Sequence, residues 1–328
     1  MRRVGLAVVL AVSFALTPLA AEGQQAAKLY RIGYLASGPS IDPHLQKALE
    51  DTLRDLGHIP GRQVSIEYKF PTGDAESLRR FAAELVQLPV DLIIADTNPA
   101  VAAAKQATST IPIVMATAVN PIRAGFVQSL ARPGGNVTGL TADPAPETIL
   151  GKQLALLKEL VPKLSRVAVL WNPDAPAYRD YFDMLGTGAR QLRISLQSLE
   201  VQSPAAFETA FDKARQQRSE GMIIFVDILT FVHRKQIADL AIKHRLPSVA
   251  YVREFAEAGG LLTYGVDLAE LYRRAAYYVD RIIKGTKPAD LPVEQPKKFL
   301  LLINLKTAKA LGLTVPSSLL LQADQVIE

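Results

Sequence analysis

The side chains best suited to chemistry lie in six short stretches, each placed where a run of β-branched residues gives way to a helical pattern. In the first half these are Ala36-Ser37-Gly38-Pro39-Ser40, Asp96-Thr97-Asn98-Pro99 and Thr117-Ala118-Val119-Asn120-Pro121. They offer small hydroxyl and amide groups and backbone N–H donors. In the second half Trp171-Asn172-Pro173-Asp174, Asp227-Ile228-Leu229-Thr230 and Val252-Arg253-Glu254, the last following Tyr251, add rings, a guanidinium and carboxylates. An open parallel sheet takes its ligands outside the carboxyl ends of its strands, where helix N-termini aim unpaired N–H groups outward. Any one Ser, Thr, Asp or Asn before a helix is ordinarily a cap contributing ~1 kcal/mol, and Asn-Pro is a turn signal. Their recurrence at equivalent strand ends is what points to a site. Trp171, the sole tryptophan, follows the apolar run Val167–Leu170 and fits either the core or a cleft edge.

Catalytic readings find little support. The four histidines, His44, His58, His233 and His244, stand in helical or turn contexts without the i, i+4 spacing of a metal helix and read as surface residues. No Gly-x-Ser-x-Gly elbow, Walker-type loop or Gly-x-Gly-x-x-Gly follows an expected strand. With no cysteine, the chain cannot form a disulfide, a thiolate metal site or a cysteine nucleophile, nor carry a lipid on an N-terminal cysteine. Asp227 and Glu254 could serve as acid and base, but a carboxylate pair is a weak signal among 32 acidic residues. Asn136-Val137-Thr138 matches a glycosylation sequon, a short pattern with a high chance rate. No catalytic residue, metal ligand or cofactor is expected. The 37 basic residues are dispersed, with pairs such as Arg79-Arg80 as the longest runs, which argues against a nucleic-acid partner despite a net charge of +5.

The elements that must position these loops repeat. Strands are expected at Tyr30–Leu35, Gln63–Tyr68, Leu92–Ala95 and Ile113–Ala116, separated by helices at Pro43–Leu56, Ala75–Gln87 and Pro99–Ala107. The second half repeats the scheme with strands Arg166–Leu170, Leu196–Glu200, Met222–Val226 and Ser248–Tyr251 and helices Ala177–Leu192, Ala205–Gln217 and Phe231–Lys243. Val90-Asp91-Leu92-Ile93-Ile94 leads to Ile111-Pro112-Ile113-Val114 much as Glu220-Gly221-Met222-Ile223-Ile224 leads to Leu246-Pro247-Ser248-Val249. Two copies of an α/β unit with a parallel sheet account for this, and 328 residues suffice for two lobes. Strand Val137–Leu140 follows the glycine turn at Gly134-Gly135. A tail of strand Leu261–Tyr264, long helix Asp267–Lys284, extended Leu291–Phe299 and helix Leu305–Leu311 is long enough to cross between the lobes.

The N-terminus reads as an address. Arg2 and Arg3 precede the 13 apolar-rich residues Val4–Leu16, then Pro18 and small residues, with a cut expected after Ala21 or Gly23. That run falls short of the ~20 residues a spanning helix needs, so stable membrane insertion after cleavage is not expected. The mature chain would work outside the cytoplasm without disulfides.

Four phrases carry a family resemblance: Tyr30-Arg31-Ile32-Gly33-Tyr34-Leu35, the run Leu130–Leu140, the run Arg253–Leu261 and the run Lys287–Pro296, joined by the ending Asn304–Pro316. They resemble the tryptophan/tyrosine-type substrate-binding proteins of bacterial ABC transporters over essentially the whole mature chain. The resemblance implies a type 1 periplasmic-binding-protein fold: two doubly wound, Rossmann-like parallel-sheet lobes joined by a three-crossing hinge. Lobe one would be 28–141 plus 267–294, lobe two 142–266 plus 295–328, and 1–23 the signal peptide. The crossings would be Gly139–Asp143, Tyr264–Asp267 and Val293–Pro296. By position in that fold, Ser37, Gly38, Thr97, Asn98, Thr117 and Ala118 would offer hydroxyls and N–H groups to a carboxylate. Asp227, Tyr251 and Glu254 would face an ammonium or polar substituent, with Trp171, Leu229 and Tyr251 as an apolar slot. The implied partners are a small polar ligand, with an amino acid or aromatic carboxylate as the candidates, and an ABC permease with its cytoplasmic ATPase; the protein would be a periplasmic monomer. A ligand-presenting sensory protein and a periplasmic α/β enzyme stay open as alternatives.

Overall fold

The computed structural model describes residues 28–72, 74–142, 145–175 and 177–328. The expected signal segment and both expected cleavage positions lie outside the described residues, as does Asp143. The first unit runs β1 (Tyr30–Leu35), α1 (Pro43–Asp55), β2 (Val64–Lys69), α2 (Ala75–Gln87), β3 (Leu92–Ala95), α3 (Asn98–Ala107), β4 (Ile113–Ala118) and β5 (Val137–Thr141). The second runs α4 (Pro146–Leu160), β6 (Arg166–Trp171), α5 (Tyr178–Gln191), β7 (Ser195–Glu200), α6 (Ala206–Gln216), β8 (Gly221–Ile224), α7 (Ile228–Val232), α8 (Arg234–Lys243), β9 (Ser248–Ala250), α9 (Arg253–Glu257) and β10 (Leu262–Val266). The tail holds α10 (Leu268–Ile283), β11 (Phe299–Asn304), α11 (Leu305–Ala310), α12 (Ser317–Gln322) and β12 (Gln325–Ile327).

Among the described residues the strands form two sheets, one of five in the order β2-β1-β3-β4-β5 and one of seven in the order β12-β11-β10-β9-β8-β6-β7. The fold is therefore α/β with two doubly wound lobes. Strands β1, β3 and β4 are near-continuous apolar runs because helices cover both faces, the condition that makes buried parallel strands lose alternation. One face of sheet one packs Ile32, Ile94 and Val114 against Leu49 of α1; the other packs Ile93 and Met115 against Leu85 and Val101. Sheet two is likewise covered, by Leu154 and Leu157 of α4 on one face and Phe207 and Phe211 of α6 on the other.

Local signals place the helix starts. Asp74 caps α2 by accepting from the Ser77 N–H at 2.7 Å, and prolines occupy the first turn of α1, α3 and α4, where a missing N–H costs nothing. The chain leaves sheet one after Thr141 and returns as α10, whose Tyr272, Ala275, Ala276 and Val279 join the core of sheet one. The Tyr34 and Tyr272 hydroxyls meet at 2.9 Å, and His58 lies 2.8 Å from Asp280 of α10. Glu294 then passes beside β5, its N–H donating to Gly139 O and its carbonyl accepting from Thr141 N–H, each at 3.0 Å, before the chain rejoins sheet two.

Several expectations need correction. Strand β11 pairs antiparallel with β10, so sheet two is not wholly parallel. The single helix expected over Phe231–Lys243 is two, since an Asp227–Thr230 capping box starts α7 early and His233, at φ −97° and ψ 18°, interrupts it before α8. His58 and the His244 side chain are buried rather than on the surface. Asn136 of the sequon donates to Thr108 O and Ile111 O, and Thr138 is fully buried, so both are structural here.

Gly139 sits in β5 at φ +128°, and a Cβ there would lie 2.2 Å from the Met115 carbonyl oxygen. Gly139→Ala should lose ~3 kcal/mol or more in urea unfolding, because both the backbone conformation and the neighbouring backbone resist it. Gly151→Ala in α4, where nothing lies within 4 Å of the added carbon, should gain roughly 0.5–1 kcal/mol from helix propensity. Equal stabilities for the two variants would overturn this reading.

Candidate functional site

In a sheet of order 2-1-3-4-5 the connections reverse direction between β1 and β3, and a crevice opens outside their carboxyl ends. Asp96, just past β3, fills that position in sheet one. Its buried carboxylate accepts from Ser37 N–H at 3.1 Å, Ser37 Oγ at 2.8 Å and Thr97 N–H at 2.6 Å. Its carbonyl accepts from the N–H and Oγ1 of Thr117 at 2.8 and 2.7 Å. Burial pushes the Asp96 carboxyl above the usual range, with the Ser37 and Thr97 donors acting in the opposite direction. One residue thus ties together the loops after β1 and β3 through its side chain and the end of β4 through its carbonyl. The Asn98 amide completes the frame, donating to Val119 O at 2.8 Å and accepting from Val119 N–H at 2.7 Å.

Sheet two reverses between β6 and β8, and the same device recurs. Asp227 accepts from the Asn172 amide at 2.7 Å with one oxygen and from Thr230 N–H at 2.9 Å with the other. Asp227 is also the N-cap of α7, so a residue expected at the ligand has structural partners as well.

Sheet order also arranges the two lobes face to face. At one end, the loop after β1 meets the elements after β8 and β9. A Cβ on Gly38 would lie 2.7 Å from Cδ1 of Ile228, Asp42 pairs with Arg234 at 2.6 Å, and His44 pairs with Glu254 at 3.0 Å. At the other end, Arg123, after β4, pairs with Asp180 of α5. Near the passage between sheets, the Tyr251 hydroxyl donates to the Ala142 carbonyl. Between these closures, in sheet order, lie Thr97 and Asn98 on one side and Asp227 on the other.

The other expected site residues divide. Ser37, Thr97 and Thr117 stand together around Asp96. Ala118 is the last residue of β4, fully buried, with its carbonyl engaged by Ala142 N–H at 2.7 Å. Leu229 is half-buried on α7 and packs against the core behind it. Glu254 is 2% exposed and turned toward His44. Trp171 takes the core placement of the two left open: it is 1% exposed, its ring lies 6.1 Å from that of Phe182, and its indole N–H donates to Ser198 Oγ at 2.8 Å. Phe225, one residue past β8, lies against Tyr178 and Tyr181 of α5 at ring distances of 5.4 and 6.3 Å, and Phe225 and Tyr178 are buried in the same core as Trp171. Sequence reasoning passed over that trio and Asp96; the only signal was their nearness to strand ends. Among the described residues no group of three or more His, Asp and Glu is arranged to hold a metal ion.

A family model described as ABC transporter substrate binding protein matches residues 32–327. The chain belongs to that family. Its members are substrate-binding proteins, not enzymes, and this binding protein is 27% identical over 282 residues to a "Tyrosine-binding protein" of Clostridioides difficile, covering 86% of this chain and 80% of that relative. A crystal structure of an ABC domain in complex with L-Trp from Streptococcus pneumonia superposes with a TM-score of 0.83 at 25% identity, covering 92% of this chain and 100% of that one. The ligand-free, open structure of a substrate binding protein with adhesive properties from Clostridium difficile shares the fold at a TM-score of 0.67 and 22% identity, covering 92% of this chain and 99% of that one.

Two substitutions probe the site. Removing Asp96 as Asp96→Ala strands three donors in the core of the loop cluster, so the binding protein should lose about 3 kcal/mol in urea unfolding. Gly38→Leu should hold the lobes apart against Ile228, raising the radius of gyration in small-angle scattering, and the second change Ile228→Ala should restore the compact form. A compact Gly38→Leu protein would show that the loop after β1 does not gate closure.

Proposed function

We propose that this protein closes its two lobes on a single amino acid with an apolar or aromatic side chain. The observation that carries the reading is the pairing of two switch points: hydroxyl-rich loops around Asp96 on one lobe and the Asp227 carboxylate on the other. The loops after β1, β3 and β4, held in place by Ser37, Thr97, Asn98 and Thr117, with Gly38 and the N-terminus of α3 beside them, suit a carboxylate, since helix N-termini favour negative charge. Asp227 suits the ammonium. The half-buried Tyr181, packed against Phe225, would offer an apolar side chain its surface. Relatives described as tyrosine-binding and as a complex with L-Trp support this ligand class.

Binding by closure between 28–141 plus 267–294 and 142–266 plus 295–328 would present one compact form to a membrane permease driven by a cytoplasmic ATPase. The chain would act as a monomer in the periplasm after removal of 1–23. Among the described residues no helix is long and apolar enough to cross a membrane.

The test is a thermal-denaturation series with L-tryptophan, L-tyrosine and L-leucine, followed by native mass spectrometry of the bound species. A ligand at a hundredfold excess over its Kd should stabilise by about 2.7 kcal/mol, several degrees for a chain of this size, and be released unchanged. Absence of any shift with all three amino acids would overturn the amino-acid reading, and chemical turnover would overturn the receptor reading.

A further inference from the structure

We infer that Asp42, His44, Arg234 and Glu254 form a clasp between the lobes whose strength depends on a proton carried by His44, so that closure takes up a proton at neutral and mildly alkaline pH. This deepens the receptor reading and rests on it only for the premise that closure accompanies binding. Asp42 and His44 stand at the start of α1 on lobe one, while Arg234 opens α8 and Glu254 lies in α9, both on lobe two. Asp42 Oδ1 lies 2.9 Å from His44 Nδ1, and Asp42 Oδ2 accepts from Arg234 Nη2 at 2.6 Å. On the far side of the ring, His44 Nε2 lies 3.0 Å from Glu254 Oε1. Both ring nitrogens therefore face carboxylate oxygens, and a histidine can donate on both sides only as the imidazolium.

Glu254 makes the proton matter. The residue is 2% exposed, neither oxygen of its carboxylate accepts a hydrogen bond among the described residues, and the charge that faces it is His44 at 3.0 Å. A buried carboxylate left without its partner is strongly disfavoured, so closing the lobes over a neutral His44 would be penalised. The other charged or titratable groups around the cluster do not replace His44. Arg253 is engaged with Glu257 at 2.8 Å, Arg234 is held by Asp42 and by Phe231 O at 3.0 Å, and Tyr272 from α10 is a buried phenol bonded to Tyr34.

In the closed form His44 is raised from 6.5 to about 9, first by the Glu254 carboxylate facing its Nε2 and further by Asp42, against the opposing effect of burial. Asp42 shares a lobe with His44 and stays beside it on opening, so the Glu254 share is the one linked to closure. The sign follows: the contribution is complete below pH 6.5 and is lost as pH rises through about 9. The His44 side chain is 38% exposed, and with solvent screening the closed-to-open ratio should fall about tenfold between pH 7 and pH 10.

The absence of cysteines allows a direct test. Spin labels at Lys47→Cys and Gln236→Cys, one on each lobe, report the interlobe distance in ligand-free protein across that pH range. The parent should open as pH rises. His44→Gln should be more open at pH 7 and lose the step, Glu254→Gln should also lose the step, and Arg234→Gln should be more open throughout yet keep it. A parent whose distance distribution does not move with pH, or a step in His44→Gln or Glu254→Gln as large as the parent's, would overturn the clasp. Adding L-tryptophan or L-tyrosine to the same samples at pH 7 judges the ligand reading separately: no closing with either counts against that reading, while the ligand-free pH step still decides the clasp.

Discussion

The arrangement depends on one carboxylate at each switch point, Asp96 buried in lobe one and Asp227 half-buried in lobe two. A doubly wound sheet leaves a gap where its connections diverge, and the loops on either side have no helix between them to fix their spacing. Asp96 closes that gap in lobe one by taking donors from the loops after β1 and β3 and, through its carbonyl, from the end of β4. Asp227 does the same in lobe two with Asn172 and the first turn of α7. Both are costly to bury, and the donors gathered around them are the compensation. Loops held this way present hydroxyls and N–H groups in fixed positions, and preorganised polar groups lose little freedom when a ligand arrives.

The lobes are tied by chain passages rather than by a shared core. Helix α10 leaves sheet two and buries its apolar face on sheet one, so each lobe depends on sequence drawn from both halves. The Tyr34–Tyr272 and His58–Asp280 contacts lock that helix in place. Glu294 then runs beside β5 with backbone bonds to Gly139 and Thr141, and Arg274 grips its carboxylate with two donors at 2.9 and 2.6 Å. A Cβ on Gly139 would run into the Met115 backbone of β4, which explains a glycine at positive φ inside a strand. Rigid bodies with their flexibility concentrated at passages between them are suited to hinge closure.

Much of the fold was legible from residue order. Strands β1 and β3 and helix α2 fall on the expected residues because their signals are local: apolar runs of strand length, and a capped amphipathic period. Helix α4 was overlooked although Pro146 and the row Leu150, Leu154, Leu157 mark it, and β12 is too short to signal itself. The direction of β11 was not legible, since pairing sense is decided by where the chain has travelled and not by composition. The site was legible as a set of loops but not as a set of side chains. Asn98, Asp227 and Glu254 carry the right chemistry, yet their partners Val119, Asn172 and His44 are remote in sequence, and only the fold brings them together. Trp171 illustrates the same limit: a ring at the end of a strand points inward or outward according to the pleat and the neighbouring helix, here α5 with Phe182.

Closure contacts that belong to the protein compete with those that belong to the ligand. If the rim contacts alone held the lobes shut, ligand would add little to the closed population, and any partner that reads the closed form would respond to empty protein. If the closed form were rare, the apparent affinity would fall by that same fraction. The rims here use ion pairs, Asp42–Arg234, His44–Glu254 and Arg123–Asp180, in place of a broad apolar seam. Pairs with solvent-exposed members are weak and screened, which keeps the protein's own contribution small. Glu254 adds an opposing element, because shutting the lobes removes its carboxylate from water and leaves a single imidazole to answer it. The balance between a modest clasp and that desolvation leaves room for a bound ligand to decide which form predominates.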